Sequence, residues 1–367
     1  MNLASLPGRA GLRYLVWGLG LLLLPLMLQS MGNAWVRIAD MALLYVLLAL
    51  GLNIVVGFAG LLDLGFVAFF AVGAYVFGLL ASPHLSDTFS WIAAMFPGGL
   101  HLPLWAVLPI GAGLAGLLGV LLGAPTLKLR GDYLAIVTLG FGEIIRVFLN
   151  NLDNPVNITN GPKGLGQIDA MTVLGHPLSQ VLDLGFIELS SVTQYCYLFL
   201  VLALVSVLLC HRLQTSRIGR AWMAIREDEI AAKAMGIQTR NLKLLAFGMG
   251  AMFGGVAGVM FAAFQGFVSP ESFSLMESVM IVAMVVLGGL GHLPGVVLGA
   301  ILLSALPEVL RYVTHPLQAM TDGRLDAAIL RQLLIALAMI LIMLWRPRGL
   351  WPAPEHGKAL PTEREAP

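Results

Sequence analysis

RLQTSRIGRAWMAIREDEIAAKAMGIQTRNLK, residues 212–243, carries seven Lys/Arg and three acidic side chains inside a chain that is 58% hydrophobic and only 11% charged. A polar run of this length between apolar segments must stand in water, and its basic excess assigns it to the cytoplasmic face of a membrane. Apolar segments long enough to cross a bilayer recur on both sides of it, and the mean hydropathy is +0.88, so the chain reads as an all-α polytopic membrane protein. Helices are expected rather than barrel strands, because lipid cannot satisfy an open backbone and the apolar runs lack the alternation of an outer-membrane barrel. The 42 glycines suit close helix packing.

About ten transmembrane helices are expected, near residues 12–30, 37–56, 63–81, 103–123, 131–149, 191–211, 243–266, 275–290, 294–312 and 328–345. With the N-terminus inside, the cytoplasmic segments hold Arg9, Arg13, Lys128, Arg130, the seven cations of the island, Arg346, Arg348, Lys358 and Arg364, fifteen of the 21 basic residues. Arg37, Arg146, Lys163, Arg311, Arg324 and Arg331 fall at or near the outer side. That bias favours an even count with both termini in the cytoplasm. Residues 1–350 form one transmembrane domain, in which 212–243 is a cytoplasmic loop and 150–190 an outer loop. The outer loop is rich in Asn, Asp, Gly and Pro and is expected to form turns with at most a short helix. Residues 351–367 have the composition of a disordered tail. The first apolar run follows Arg9 and Arg13 like a signal peptide, but no small-x-small site clearly follows it, so it reads as a retained helix. Cys196 and Cys210 share one apolar segment about 21 Å apart along a helix, too far for a disulfide.

The island has internal order. Asp228 is placed to cap a short helix, Glu229 and Lys233 have i,i+4 spacing, and Gly236 suits a left-handed helix end. Two short helices separated near Glu227 are expected. Trp222, Ile225, Ile230 and Met235 then form a knob for a groove on a partner. The alternative is a solvated loop whose charges only orient the protein.

Charges near the apolar runs weigh more towards structure than substrate. Glu143 with Arg146, and Glu308 with Arg311, are three residues apart and pair across one helical turn, which lowers the cost of membrane burial. Asp63 reads first as a cap at the cytoplasmic end of its span, while Asp40 and Glu277 stay ambiguous. Enzymatic chemistry finds little support. The seven histidines are scattered, and neither HExxH, paired Cys/His metal spacing nor G-x-S-x-G is present. No G-x-x-x-x-G-K-[ST] phosphate loop exists either, so the chain cannot hydrolyse ATP in the P-loop manner by itself. Nothing in its charge suggests nucleic acid.

GRAWMAIREDEIAAKAMGI, residues 219–237, followed by KLLAF, resembles the cytoplasmic coupling loop of ABC importer permeases, in the form of the LivM-type permeases of branched-chain amino acid importers. Gly219, Arg220, Ala221, Arg226, Glu229, Ala231, Ala232 and Gly236 fall in this motif. LNIVVGFAGLLDLGFVAFFAVGAY, residues 52–75, resembles the family's signature near its third span, and VVLGGLGHLPGVVLGAILLSALPEVLR, residues 285–311, resembles its late glycine-rich segment. TNGPKGL, residues 159–165, also recurs in the family, as an outer turn with Lys163 a candidate contact for a binding protein. One departure stands at LLDLGF, where Ser and His are more usual near Asp63 and Phe66, so no role for those side chains follows from the likeness. The resemblance spans roughly residues 35–350 and implies the fold of type II ABC importer permeases.

It further implies an inner-membrane permease subunit that translocates branched-chain or related hydrophobic amino acids and binds no cofactor itself. ATP and Mg would sit on two cytosolic ABC ATPases gripping the coupling loop. A homologous LivH-type permease and a periplasmic amino acid binding protein would complete the complex. The glycines of the two motifs bear on a pathway. Gly57, Gly60 and Gly65, and Gly288, Gly289 and Gly291, interrupt apolar runs, which membranes tolerate where backbone is buried in protein or lines a cavity. Such breaks, with Asp63 beside them, could present amides at the midplane to a zwitterion, or could serve only close packing and a tight turn. The rival class is a gradient-driven secondary transporter or channel for a small polar solute, which would more typically place paired acids or histidines at midspan.

Overall fold

The computed structural model describes residues 7–351 except 128, 130, 174–175, 184–187, 321–326 and 347–348. Side chains are described from residue 18 onward, omitting 19, 311–332, 334–335 and 338. The tail 352–367, Lys128, Arg130 and the side chains of Arg9, Arg13, Arg311, Arg324 and Arg331 therefore lie outside the described set.

Each of the ten apolar runs is helical over most of its length, the two short helices expected in the polar island are present, and two further short helices stand between residues 84 and 95. The order is α1 (Pro7–Met31), α2 (Asn33–Asn53), α3 (Val67–Leu80), α4 (His84–Thr88), α5 (Ser90–Met95), α6 (Leu104–Thr126), α7 (Asp132–Asn151), α8 (Ser191–Thr215), α9 (Arg217–Glu227), α10 (Glu229–Ala234), α11 (Thr239–Gln265), α12 (Leu275–Gly288), α13 (Leu293–Met320) and α14 (Ala327–Trp345). Among the described residues five helices are long and apolar enough to cross a membrane: Asn33–Phe58, Leu104–Thr126, Ser191–Thr215, Thr239–Gln265 and Leu293–Leu310. Gly20–Met31, Val67–Leu80 and Leu275–Gly288 are shorter apolar helices.

α11 is the hub, packing most extensively against α6 and α3. Small residues make that approach possible. A Cβ added at Gly119 would lie 2.6 Å from the Ala251 Cβ, one at Gly255 2.6 Å from the Ala115 Cβ, and one at Gly111 2.6 Å from a Val259 methyl. In lipid such contacts are not held by escape from water, since acyl chains are as apolar as leucine. Dispersion and close backbone approach hold them. α2 is enclosed by α8, α13, α11 and α12, with Leu47, Leu48, Leu50 and Leu52 no more than 1% exposed.

The connections sort to two ends. At one end the segment after α2, the α6–α7 turn, α9–α10 and the α12–α13 turn share contacts through Arg226 and Gln214. Residues 349–351 close there too, where the Leu350 N–H donates to the Leu287 carbonyl at 2.8 Å. At the other end the Leu102 N–H donates to the Leu80 carbonyl (3.2 Å) and the Asp169 N–H to the Ala81 carbonyl (2.8 Å), while Leu165 and Val268 form a two-way backbone bridge.

Three expectations need correcting. The span expected over 63–81 begins only at Val67, because residues 59–66 are irregular backbone. Segment 150–190 holds a short helix, as expected, in the 3-10 turn Gly161–Lys163, but it also holds strands: β1 (Thr172–Val173) pairs with β2 (His176–Pro177), as β3 (Leu182–Asp183) does with β4 (Glu188–Leu189). Ladders two residues long leave no periodic trace in sequence. Asp63 does not cap α3, whose first turn has no side-chain cap. Its Oδ1 instead accepts the Gly65 N–H at 2.9 Å, a turn inside the irregular segment.

Candidate functional site

The polar island folds as two capped helices laid across the end of the bundle. The Ser216 hydroxyl accepts the Gly219 N–H at 3.1 Å and starts α9, and the Asp228 carboxylate accepts the Ile230 and Ala231 N–H groups at 2.8 and 3.1 Å and starts α10. Such caps contribute about 1 kcal/mol each. Gly236, with φ of 84°, ends α10. Its N–H donates to the Lys233 carbonyl at 3.0 Å and the Ile237 N–H to the Ala232 carbonyl at 3.1 Å, a Schellman pattern.

Anchors tie this unit to the bundle. Gly219, Trp222 and Ile225 recur at helical spacing on the buried face of α9. The Trp222 indole N–H donates to the Leu242 carbonyl at 2.7 Å. A Cβ at Gly219 would lie 2.8 Å from the Gln214 carbonyl oxygen, so this glycine is there for close approach of α8. Arg220 is exposed and donates to the Thr215 carbonyl at 2.8 Å, serving an orphan carbonyl at the end of α8, and Ala221 is half-buried beside it. Glu229 lies between two lysines, at 3.1 Å from Lys233 and 2.7 Å from Lys243. The hydrogen bond from Lys243 leads in pulling the Glu229 carboxyl down to about 2. Ala232 is buried and Ala231 exposed.

Arg226 reaches furthest. Its Nη1 donates to the Gly57 carbonyl at 2.5 Å, its Cγ would be 2.8 Å from a Cβ on Gly60, and its Nη1 2.9 Å from one on Gly291. Both glycine breaks therefore meet at one side chain. The first is a π turn at Ile54–Phe58 followed by irregular residues 59–66, and the second is Gly289–His292 between α12 and α13. Asn53 joins them directly, its Oδ1 accepting the Gly291 N–H at 3.0 Å.

Gly60, Gly289 and Gly291 have φ of 70°, 118° and 79°, conformations that other residues rarely adopt. Gly57, Gly65 and Gly288 have backbone where a Cβ would stand, at Gly291, Thr138 and Gly295 respectively. Residues 63–65 are held by neighbours: the Leu64 N–H donates to the Thr138 hydroxyl at 3.0 Å, and the Ser278 hydroxyl donates to the Leu64 carbonyl at 2.5 Å. The amides of Gly65 and Gly291 are thus bonded inside the protein, and the breaks sit beside α9 and α10.

Of the expected knob, Trp222 and Ile225 turn inward, at 0% and 5% exposure, while Ile230 and Met235 stand out at 72% and 83%. Burial of Trp222 follows from its indole bond to α11. Sequence reasoning missed Asn53, Gln214 and Lys243 as parts of the site. A lone Asn inside an apolar run was the available signal for the first; nothing local marked the others.

A family model described as branched-chain amino acid transport system / permease component matches residues 35–344. The chain belongs to this permease family. It is 41% identical over 329 residues to the high-affinity branched-chain amino acid transport system permease protein LivM of Escherichia coli K12, covering 86% of this chain and 70% of the relative. The LivH permease protein of the same transport system and strain is 25% identical over 326 residues, covering 86% of this chain and 93% of its own length. The autoinducer 2 import system permease LsrC of Yersinia enterocolitica is 31% identical over 133 residues, 35% of this chain and 36% of the relative. No solved structure matches the chain. Membership of a permease family together with several long apolar helices makes this a multi-pass membrane protein.

Proposed function

We propose that this permease is the membrane-spanning subunit of an ATP-driven importer that moves branched-chain amino acids across the bacterial inner membrane, with Ile230, Ala231 and Met235 docking a cytosolic ATPase. One observation carries the reading: a capped surface helix with exposed apolar side chains is tied through Arg226 to two helix breaks and through Glu229 to α11. A push on α10 then has a mechanical path into the bundle. Movement of α9 pulls on the backbone at Gly57, and movement of Glu229 pulls on Lys243 at the start of the hub helix.

In this reading α1, α2, α3, α6, α7, α8, α11, α12, α13 and α14 all cross the membrane, both termini are cytoplasmic, and the bundle is of the type II importer class. The sorting of connections to two ends and the basic residues near α9–α10 support that arrangement. ATP and Mg are bound by separate ATPase subunits, a LivH-type permease pairs with this chain, and a periplasmic binding protein delivers the amino acid to the outer loop. Alternating access follows as the breaks let helix ends tilt about the packed α11–α6–α3 unit.

Gentle purification of the tagged chain from native membranes tests the reading. Recovery of a P-loop ATPase and a second permease, with the ATPase recovered more weakly on Gly236→Val, is the expected result. A chain that purifies alone and moves solute in ATP-free vesicles would sink it in favour of a gradient-driven transporter.

A further inference from the structure

A cleft of about 280 Å³ opens between α9, α10, the break segment and the α6–α7 turn. Clefts that take drug-sized ligands run from about 300 to 1,000 Å³, so this one is scaled for a smaller metabolite. Its lining has two chemistries. Arg226, Lys243, Glu229 and Asp132 contribute both signs of charge, and Leu61, Leu62, Leu134 and Ile225 contribute an aliphatic wall.

The charges are not all spoken for. Lys243 and Glu229 satisfy each other at 2.7 Å. The Gly57 carbonyl takes one of the five N–H donors of the Arg226 guanidinium. Asp132 is exposed in the first turn of α7 and, among the described residues, has no hydrogen-bond or ion-pair partner. A ligand entering here meets a guanidinium with donors to spare, a carboxylate with none engaged, and leucine side chains beside them.

We infer that this cleft binds a free α-amino acid with an aliphatic side chain, its carboxylate on Arg226, its ammonium on Asp132, and its side chain against Leu61, Leu62 and Leu134. A phosphate or a fatty-acid carboxylate satisfies Arg226 but is repelled by Asp132 and Glu229. An amine satisfies Asp132 but faces Arg226 and Lys243. Among the described lining residues, a zwitterion satisfies both charges where neither ion alone does. The site differs from a translocation pathway through the bundle, because its walls are the coupling helices themselves. Occupancy bridges α9 to α7 and to residues 59–62, so it restrains the movement of Arg226 that the proposed function requires. Resting on that reading, the cleft becomes a product-sensing site: amino acid accumulating on the coupling side slows further import.

The test uses the chain purified with its accompanying subunits in nanodiscs, with radiolabelled L-leucine in equilibrium dialysis and no binding protein present. Leucine should bind, 4-methylpentanoate and 3-methylbutylamine should fail to compete, and binding should weaken about tenfold or more in Asp132→Asn, which removes a charge-assisted hydrogen bond. Leu62→Trp should abolish binding by filling the cleft from a side chain that is 37% exposed, where the added bulk has room. Leucine on the coupling side should also lower ATPase turnover of the native complex, and Leu62→Trp should remove that effect. Equal leucine affinity in native chain, Asp132→Asn and Leu62→Trp would overturn the inference. So would native mass spectrometry showing a phosphatidylethanolamine in the cleft that leucine does not displace. A complex that transports on ATP while failing these tests leaves the importer reading intact. One that binds leucine as described but neither hydrolyses ATP nor transports would instead remove the importer reading.

Discussion

The two ends of the bundle are built differently. At the coupling end, anchors join segments far apart in sequence: Arg226 to Gly57, Trp222 to Leu242, Asn53 to Gly291 and Glu229 to Lys243. At the other end, two-residue hairpins, a 3-10 turn at Gly161–Lys163 and an exposed pair between His101 and Asp169 hold the surface. Half-buried hydrogen bonds to backbone hold their geometry against solvent, whereas exposed pairs contribute about 0–1 kcal/mol and exchange freely with water. In the importer reading, the contrast makes one end the part that transmits force and the other the part that presents a surface.

The largest effect should come from Arg226→Ala. It removes the hydrogen bond to Gly57 and the side chain packed over Gly60, while α10 keeps its caps. Loss of a charged hydrogen bond costs about 1.5–3 kcal/mol, so uptake should fall roughly ten- to a hundredfold with ATPase association preserved. Uptake near native in that variant would break the claim that force passes through this side chain. Next comes Gly236→Val. Forcing a β-branched residue to φ of 84° costs about 1–2 kcal/mol, fraying the end of α10 rather than its link to the bundle. Pull-down of the ATPase should weaken roughly five- to thirtyfold, with the bundle's thermal stability little changed.

Much of this was legible in the sequence. Asp228, Lys233 and Gly236 announce their roles by spacing, because caps and i,i+4 pairs are local physics. The ten apolar runs are equally plain, since helix period and length need no tertiary knowledge. What could not be read is long-range: that Arg226 finds Gly57, 169 residues earlier, that the partner of Glu229 is Lys243 as well as Lys233, or that Trp222 points inward. A side chain's direction on an amphipathic helix depends on what lies beneath it. The glycines were ambiguous for a related reason. Gly57 and Gly291 look alike as helix breakers, yet one is excluded from having a Cβ by backbone contact and the other is also set by its positive φ.

A smaller effect should follow from Glu229→Gln. Lys243, with a side chain 10% exposed, would lose its carboxylate. Part of that cost returns through rotation towards solvent, so a loss of about 1–2 kcal/mol is expected, between an exposed pair and a buried one. The pH dependence has a definite sign. Glu229 is held at about 2, below its ordinary 4.5, so its contribution is fully present above pH 4.5 and is lost as pH falls towards 2. A thermal melt of the full chain should therefore decline between those values more steeply in native protein than in Glu229→Gln. Parallel declines would show that the pair holds nothing.

The smallest effect is expected at the other end, and it tests the contrast most severely. The hydrogen bond that the His101 Nδ1–H donates to the Asp169 carboxylate raises the imidazole above its ordinary 6.5, so the pair's contribution is present below pH 6.5 and disappears as pH rises through the raised value. Both side chains are more than 40% exposed, and exposed pairs contribute little. His101→Asn should then change uptake at pH 7 by less than about twofold and leave the variants at Arg226, Gly236 and Glu229 unaltered in rank, because sites that share no partner add independently. A tenfold loss from His101→Asn, with surface expression intact, would mean that the His101 end transmits force as the Arg226 end does. The division between a coupling end and a presenting end would then fail, and the outer loop would have to be treated as a second coupling element, moved by whatever docks against it.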